Sequence, residues 1–148
     1  MSFPSSLTDD DVSRRLASLH GALRTELTGI ADLSSTRDGD LEGFDLRPRR
    51  AGALRVIWVQ SPEDIDLSVG DSPVWTLPRD ASSVASIERA VRAVIDGKVR
   101  VGTSWGTTRY EVDLGGGDLL AEETEQWWHV RLPGLPRWKW TDALPYRP

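Results

Sequence analysis

Lys98-Val-Arg-Val-Gly-Thr-Ser-Trp-Gly-Thr-Thr-Arg-Tyr-Glu-Val-Asp113 is the stretch from which the fold can be read. Pairing residues 98–104 with 107–114 across Trp105-Gly106 places Val99 opposite Val112 and Val101 opposite Tyr110 on one side. The same register places Lys98 opposite Asp113 and Arg100 opposite Glu111 on the other side. Apolar pairs on one face and opposite charges on the other are what an antiparallel pair needs, and a slip of one residue destroys both patterns together. This hairpin anchors the reading of the rest.

Upstream, Val84, Ile87, Val91, Val94 and Ile95 recur at helical spacing, which predicts a helix from Ser82 or Ser83 to Asp96 with Gly97 as its stop. Further back, Ile65, Leu67 and Val69 alternate with Asp64, Asp66 and Ser68 as a half-buried strand. Residues 53–60 carry apolar side chains on both faces, the pattern of a strand central in its sheet. A short extended piece, Val74 to Leu77, lies between Pro73 and Pro78. Val12, Leu16, Leu19, Leu23, Leu27 and Ile30 predict a first helix from Thr8, as N-cap, to Ala31. Residues 34–52, polar and punctuated by Gly39, Gly43, Pro48 and Gly52, read as a long loop with a short strand around Leu41 to Leu46.

Downstream, Gly115-Gly-Gly117 is a turn, a further strand is expected over Gln126 to Leu132, and residues 133–148 form an extended tail rich in Pro and Trp. The order predicts a single α+β domain, with two helices packed on a mainly antiparallel sheet of about five to seven strands.

The composition narrows the function. A chain of 148 residues can bury roughly two-thirds of its unfolded surface as one domain. It has no cysteine, which removes disulfides and thiolate chemistry. With no basic, apolar leader and no long apolar run, the expected location is the cytoplasm, away from membranes. Arginine outnumbers lysine sixteen to two, a usage associated with GC-rich bacterial genomes. The net charge of −5 opposes nucleic-acid binding, which requires a basic face.

Motifs for chemistry are few. His20 flanks the first helix's apolar stripe, and His129 follows Glu122, Glu123 and Glu125, with no second histidine at metal-pairing distance. Asp38-Gly-Asp40-Leu-Glu42 has the start of a calcium loop, but the twelfth position is Arg49 instead of glutamate. Asp64 and Asp66 fit the exposed side of an alternating strand. The triple glycine has no Gly-Lys-Ser/Thr after it, and Gly102-Thr-Ser104-Trp-Gly106 is not a nucleophile elbow. No metal or cofactor is expected. Arg47, Arg49, Arg50 and Arg55 form a basic cluster able to dock an anion or to sit solvated.

Seven tryptophans stand out. Trp127 and Trp128 are adjacent and point to opposite faces of a strand, whereas Trp138 and Trp140 alternate and point the same way. They either cover one side of the sheet or form an aromatic platform beside Glu122, Glu123 and Glu125, and such platforms are typical of interface hot spots. Trp127, Trp128, Trp138, Trp140, Glu122, Glu123 and Glu125 are therefore the candidate binding residues. The leading expectation is a non-enzymatic protein that binds another protein, a basic one being the natural partner of an acidic surface, for example as an immunity- or antitoxin-like inhibitor. The alternatives are a small-molecule module or metal-independent enzyme using His129, Tyr110, Glu123 and Arg131, and a self-associating structural subunit.

Overall fold

The computed structural model describes residues 10–72, 74–104, 106–124 and 138–148, with side chains described except at 122–124. The element order is α1 (Asp11–Glu26), β1 (Ala31–Asp38), β2 (Leu41–Pro48), β3 (Val56–Gln60), β4 (Asp64–Val69), β5 (Trp75–Pro78), α2 (Ala81–Ile95), β6 (Val99–Ser104), β7 (Thr107–Gly115), β8 (Asp118–Thr124) and β9 (Lys139–Asp142). Among the described residues, then, nine strands form two antiparallel sheets instead of one. The first is a meander, β1-β2-β3-β4-β5, and the second has the order β8-β7-β6-β9. The α+β class and the pair of helices are as expected from the sequence.

Helix α2 joins the two halves. Val84, Ile87, Ala90, Val91, Ala93 and Val94 are all buried, and this wide apolar face packs on β7 of one sheet and β4 of the other. Asp80 caps its start by accepting from the Ser83 backbone N–H at 2.8 Å. Helix α1 buries Leu16, Leu19 and Leu23 against α2 and β1. Between helices and meander lie Trp58, Leu46, Val56, Ile65, Leu67 and Val69, each fully buried. Each such side chain stabilises the fold by roughly 1.5–3 kcal/mol of transfer free energy.

Three expectations need correction. Helix α1 is shorter than its apolar stripe: Asp10 is the N-cap, and the helix stops at Glu26. Gly29 at φ 83° turns the chain there, so Ile30 and Ala31 leave the helix and lead into β1. The stretch 34–52 is not a long loop, because 34–48 are most of a β1–β2 ladder registered from Ala31↔Pro48 to Asp38↔Leu41. Its two-residue connection, Gly39-Asp40, has Gly39 at φ 58°. Third, one sheet of about five to seven strands is replaced by sheets of five and four. Thr8 and the expected strand at 126–132 lie outside the described residues.

The hairpin register is as the charges and valines dictate: Val99↔Val112, Arg100↔Glu111 and Val101↔Tyr110. Beyond it the described C-terminal residues, 138–148, strap both halves together, while 133–137 of the expected extended tail lie outside the described residues. β9 pairs with β6, and the Ala143 N–H then donates to the Val99 carbonyl at 2.8 Å. The Leu144 N–H donates to Gly52 and the Tyr146 N–H to Ile95. The buried Tyr146 hydroxyl donates to the Leu54 carbonyl at 2.6 Å. Arg50 in turn donates to the carbonyls of Pro145 and Arg147.

Candidate functional site

Strand alternation gives the four-stranded sheet two unlike faces. Val99, Tyr110 and Val112 point into the core, so Arg100, Gly102, Arg109 and Glu111 occupy the opposite, outer face. β9 places Trp140 against Gly102 and Asp142 against Arg100 on that same outer face.

Trp138 and Trp140 stack with ring centroids 5.8 Å apart and 30° between planes. The Arg100 guanidinium lies 4.1 Å from the centre of the Trp140 ring, a cation–π contact worth about 0.5–1 kcal/mol at such a site. Trp140 nevertheless leaves 37% of its surface to solvent. The aromatic pair thus lies on the sheet and stays half-exposed.

The Trp140 indole is seated by the absence of a side chain. A Cβ at Gly102 would come within 2.8 Å of the ring. Gly102→Ala is expected to push the indole off the sheet while the valine core beneath stays intact. Tryptophan emission should shift to the red, with a stability loss near 1 kcal/mol, since the neighbour is a movable side chain. An unchanged emission spectrum would mean that the indole does not rest on Gly102.

Beside the tryptophans sits a carboxylate with two arginines. Glu111, 7% exposed, accepts from Arg100 Nη2 at 2.7 Å and from Arg109 Nε at 2.9 Å. Burial works to raise its pKa, but hydrogen bonds from Arg109 and Arg100 outweigh that and hold it below the ordinary glutamate range. Glu111 therefore stays ionised at neutral pH and orients Arg100 over Trp140. The hairpin register in the sequence pairs Glu111 with Arg100 without marking it as a site residue. Its signal was a charged residue flanked in register by two arginines.

Next to this cluster the outer face opens into a groove of about 460 Å³ lined by Lys98, Arg100, Glu111, Asp113, Leu119 and Asp142, among others. Leu119 is 52% exposed on its rim.

The remaining candidates are dispersed. Glu122 and Glu123 lie on β8 at register positions opposite Tyr110 and Arg109, with β7 between them and the strand that carries Arg100. Glu125, Trp127, Trp128, His129 and Arg131 lie outside the described residues. Tyr110 is a core side chain, its phenol raised by burial and by Asp71, which unfits it as a base at neutral pH. His20 packs on Phe44 with centroids 5.0 Å apart, and burial pushes its pKa down, so it stays neutral at the edge of the core. The basic cluster is spent on structure: Arg47 and Arg55 pair with Asp45, Arg49 with Asp32, and Arg50 with strap carbonyls. Asp38 ends β1 and Asp40 lies in the β1–β2 turn, and among the described residues no three potential metal ligands come together. No described helix is long and apolar enough to cross a membrane.

No protein-family model, curated protein or solved structure matches the chain.

Proposed function

We propose that this protein is a non-enzymatic binder of another protein, acting as an inhibitor in the manner of an immunity protein or antitoxin. The observation that carries this reading is the half-exposed Trp138–Trp140 stack, seated on Gly102 and held beneath Arg100. Tryptophan and arginine dominate the residues that carry interface energy, and a rigid aromatic pair loses little conformational entropy on docking. Of the acidic pair, Glu123 has its register position, opposite Arg109, on the same face of the sheet as the stack, whereas Glu122 is registered opposite the core residue Tyr110. A bacterial cytoplasmic setting fits the cysteine-free, arginine-rich composition.

Affinity capture from the source organism's lysate tests it, with wild type beside the Trp138→Ala/Trp140→Ala variant. The expected result is one protein recovered stoichiometrically by wild type and at least tenfold less by the variant, whose melting remains cooperative. Recovery of no protein by wild type would overturn the reading. A stable thermal shift with a small metabolite would then favour a small-molecule module.

A further inference from the structure

We infer that the groove beside the tryptophan pair receives a basic segment of the partner protein, an Arg or Lys side chain entering it and an adjacent apolar side chain resting on Leu119. This rests on the reading of the protein as a binder and adds where, and with what chemistry, the partner engages.

The groove's own lining carries more acid than base, and Arg89 and Arg109 answer two of its carboxylates from outside it. Four carboxylates line it, Glu111, Asp113, Asp118 and Asp142, against two cations, Lys98 and Arg100. Arg100 is already committed to Glu111 and to the face of Trp140. Asp118 is bridged to Arg89 at 3.0 Å, and Asp113 accepts from the Gly115 N–H at 2.9 Å. Asp142 is different. It is exposed on the edge strand, and its register partner Arg100 is turned away to Glu111. A cation arriving there meets a carboxylate without displacing an internal partner.

Geometry joins this groove to the aromatic stack. Asp142 and Trp140 are two residues apart on β9 and share a face, so they stand about 7 Å from each other. One arginine can then reach the Asp142 carboxylate while its planar group lies along the exposed indole edge. Leu119, 52% exposed, gives an apolar seat on the opposite rim. The chain's net charge of −5 adds a long-range attraction for a cationic segment.

Among the described residues another groove, of about 410 Å³, has more of its charges committed to internal pairs. Its Arg89 donates to the Leu114 and Gly115 carbonyls, its Arg92 pairs with Glu26 and its Glu88 with Arg15.

The probe is a synthetic 12-residue peptide alternating arginine with leucine, compared with its glutamate–leucine counterpart. Binding to the full chain is followed by amide chemical shifts in 50 and 300 mM NaCl. The arginine peptide is expected to perturb amides at Lys98–Arg100, Asp113–Leu119 and Asp142, and to bind at least tenfold more weakly at high salt. Asp142→Lys should weaken it at least tenfold and Leu119→Ser about threefold, with thermal melting of both variants close to wild type. Shifts centred elsewhere, or equal binding by Asp142→Lys, would overturn the inference. If those variants still capture the lysate partner as wild type does while Trp138→Ala/Trp140→Ala fails to, the groove is refuted and the protein-binding reading stands. If wild type captures nothing, the reading itself falls.

Discussion

Gly97→Ala is expected to destabilise the protein by roughly 3 kcal/mol and to release the C-terminal strap, a larger effect than a methyl at the open turn glycines. Two costs add. Gly97 sits at φ 73°, just past the end of α2, where an L side chain costs about 1–2 kcal/mol. A Cβ there would also stand 2.7 Å from the Pro145 backbone nitrogen and 3.1 Å from the Ala143 carbonyl oxygen. Those are backbone atoms of the strap, so relief requires the strap to move. Moving it strains the hydrogen bonds of Tyr146 to Ile95 and to Leu54. Gly117→Ala is the control, because Gly117 has φ 85° but open space around its would-be Cβ. It should show only the backbone cost, about 1 kcal/mol. Urea denaturation of the two variants separates the effects, and a midpoint shift in Gly97→Ala no larger than in Gly117→Ala would show that Pro145 is not seated there. The functional consequence follows along β9: an unseated strap frees Trp140 from Gly102, so partner binding should fail together with stability.

The elements that sequence reveals well are those with one buried face. The β6–β7 hairpin was legible to the residue because Val99, Val101, Tyr110 and Val112 face the core while Arg100 and Glu111 face out, and only one register satisfies both. Helix α2 was legible for the same reason. The β1–β2 ladder was not, because six of the eight β1 residues are exposed and only Phe44 and Leu46 of β2 point fully inward. Beyond those two side chains β2 is placed by backbone pairing with β3, which gives too few apolar positions to mark a period along the stretch. The one local sign was the Gly39-Asp40 pair between Asp38 and Leu41, a composition suited to a two-residue hairpin turn. The split into two sheets was hidden as well, since it depends on α2 burying a face wide enough for both. At the candidate site, the shared direction of Trp138 and Trp140 followed from their alternation. Their seat on Gly102 did not, because β9 reaches β6 across more than thirty intervening residues.

Arg79→Ala is expected to cost about 2–4 kcal/mol at neutral pH, and the loss should shrink in acid. Arg79 lies between β5 and α2 with a side chain only 10% exposed. It holds both oxygens of Asp10, one at 2.9 Å, and donates to the Ser13 hydroxyl at 2.9 Å. Gln60, fully buried at the end of β3, stands 3.4 Å away and donates to Glu42 at 3.2 Å. One guanidinium therefore ties the start of α1 to the meander, and removing it leaves Gln60 and Ser13 short of a partner in a buried corner. Asp10 is 38% exposed and recovers part of its hydration, which keeps the cost below that of a fully buried pair. The hydrogen bond from Arg79 is the main cause holding the Asp10 carboxyl far below the ordinary aspartate range, joined by the Ser13 N–H and opposed by burial. A depressed folded pKa stabilises above the unfolded value, near 4, and the contribution fades as pH falls below that value toward the folded one. The gap between wild type and Arg79→Ala should thus be full above about pH 5 and narrow steadily below pH 4. Urea titrations at pH 7, 4 and 2.5 measure it. A gap constant across that range would assign Arg79 a packing role, with its aliphatic stem and not its charge joining α1 to the sheet.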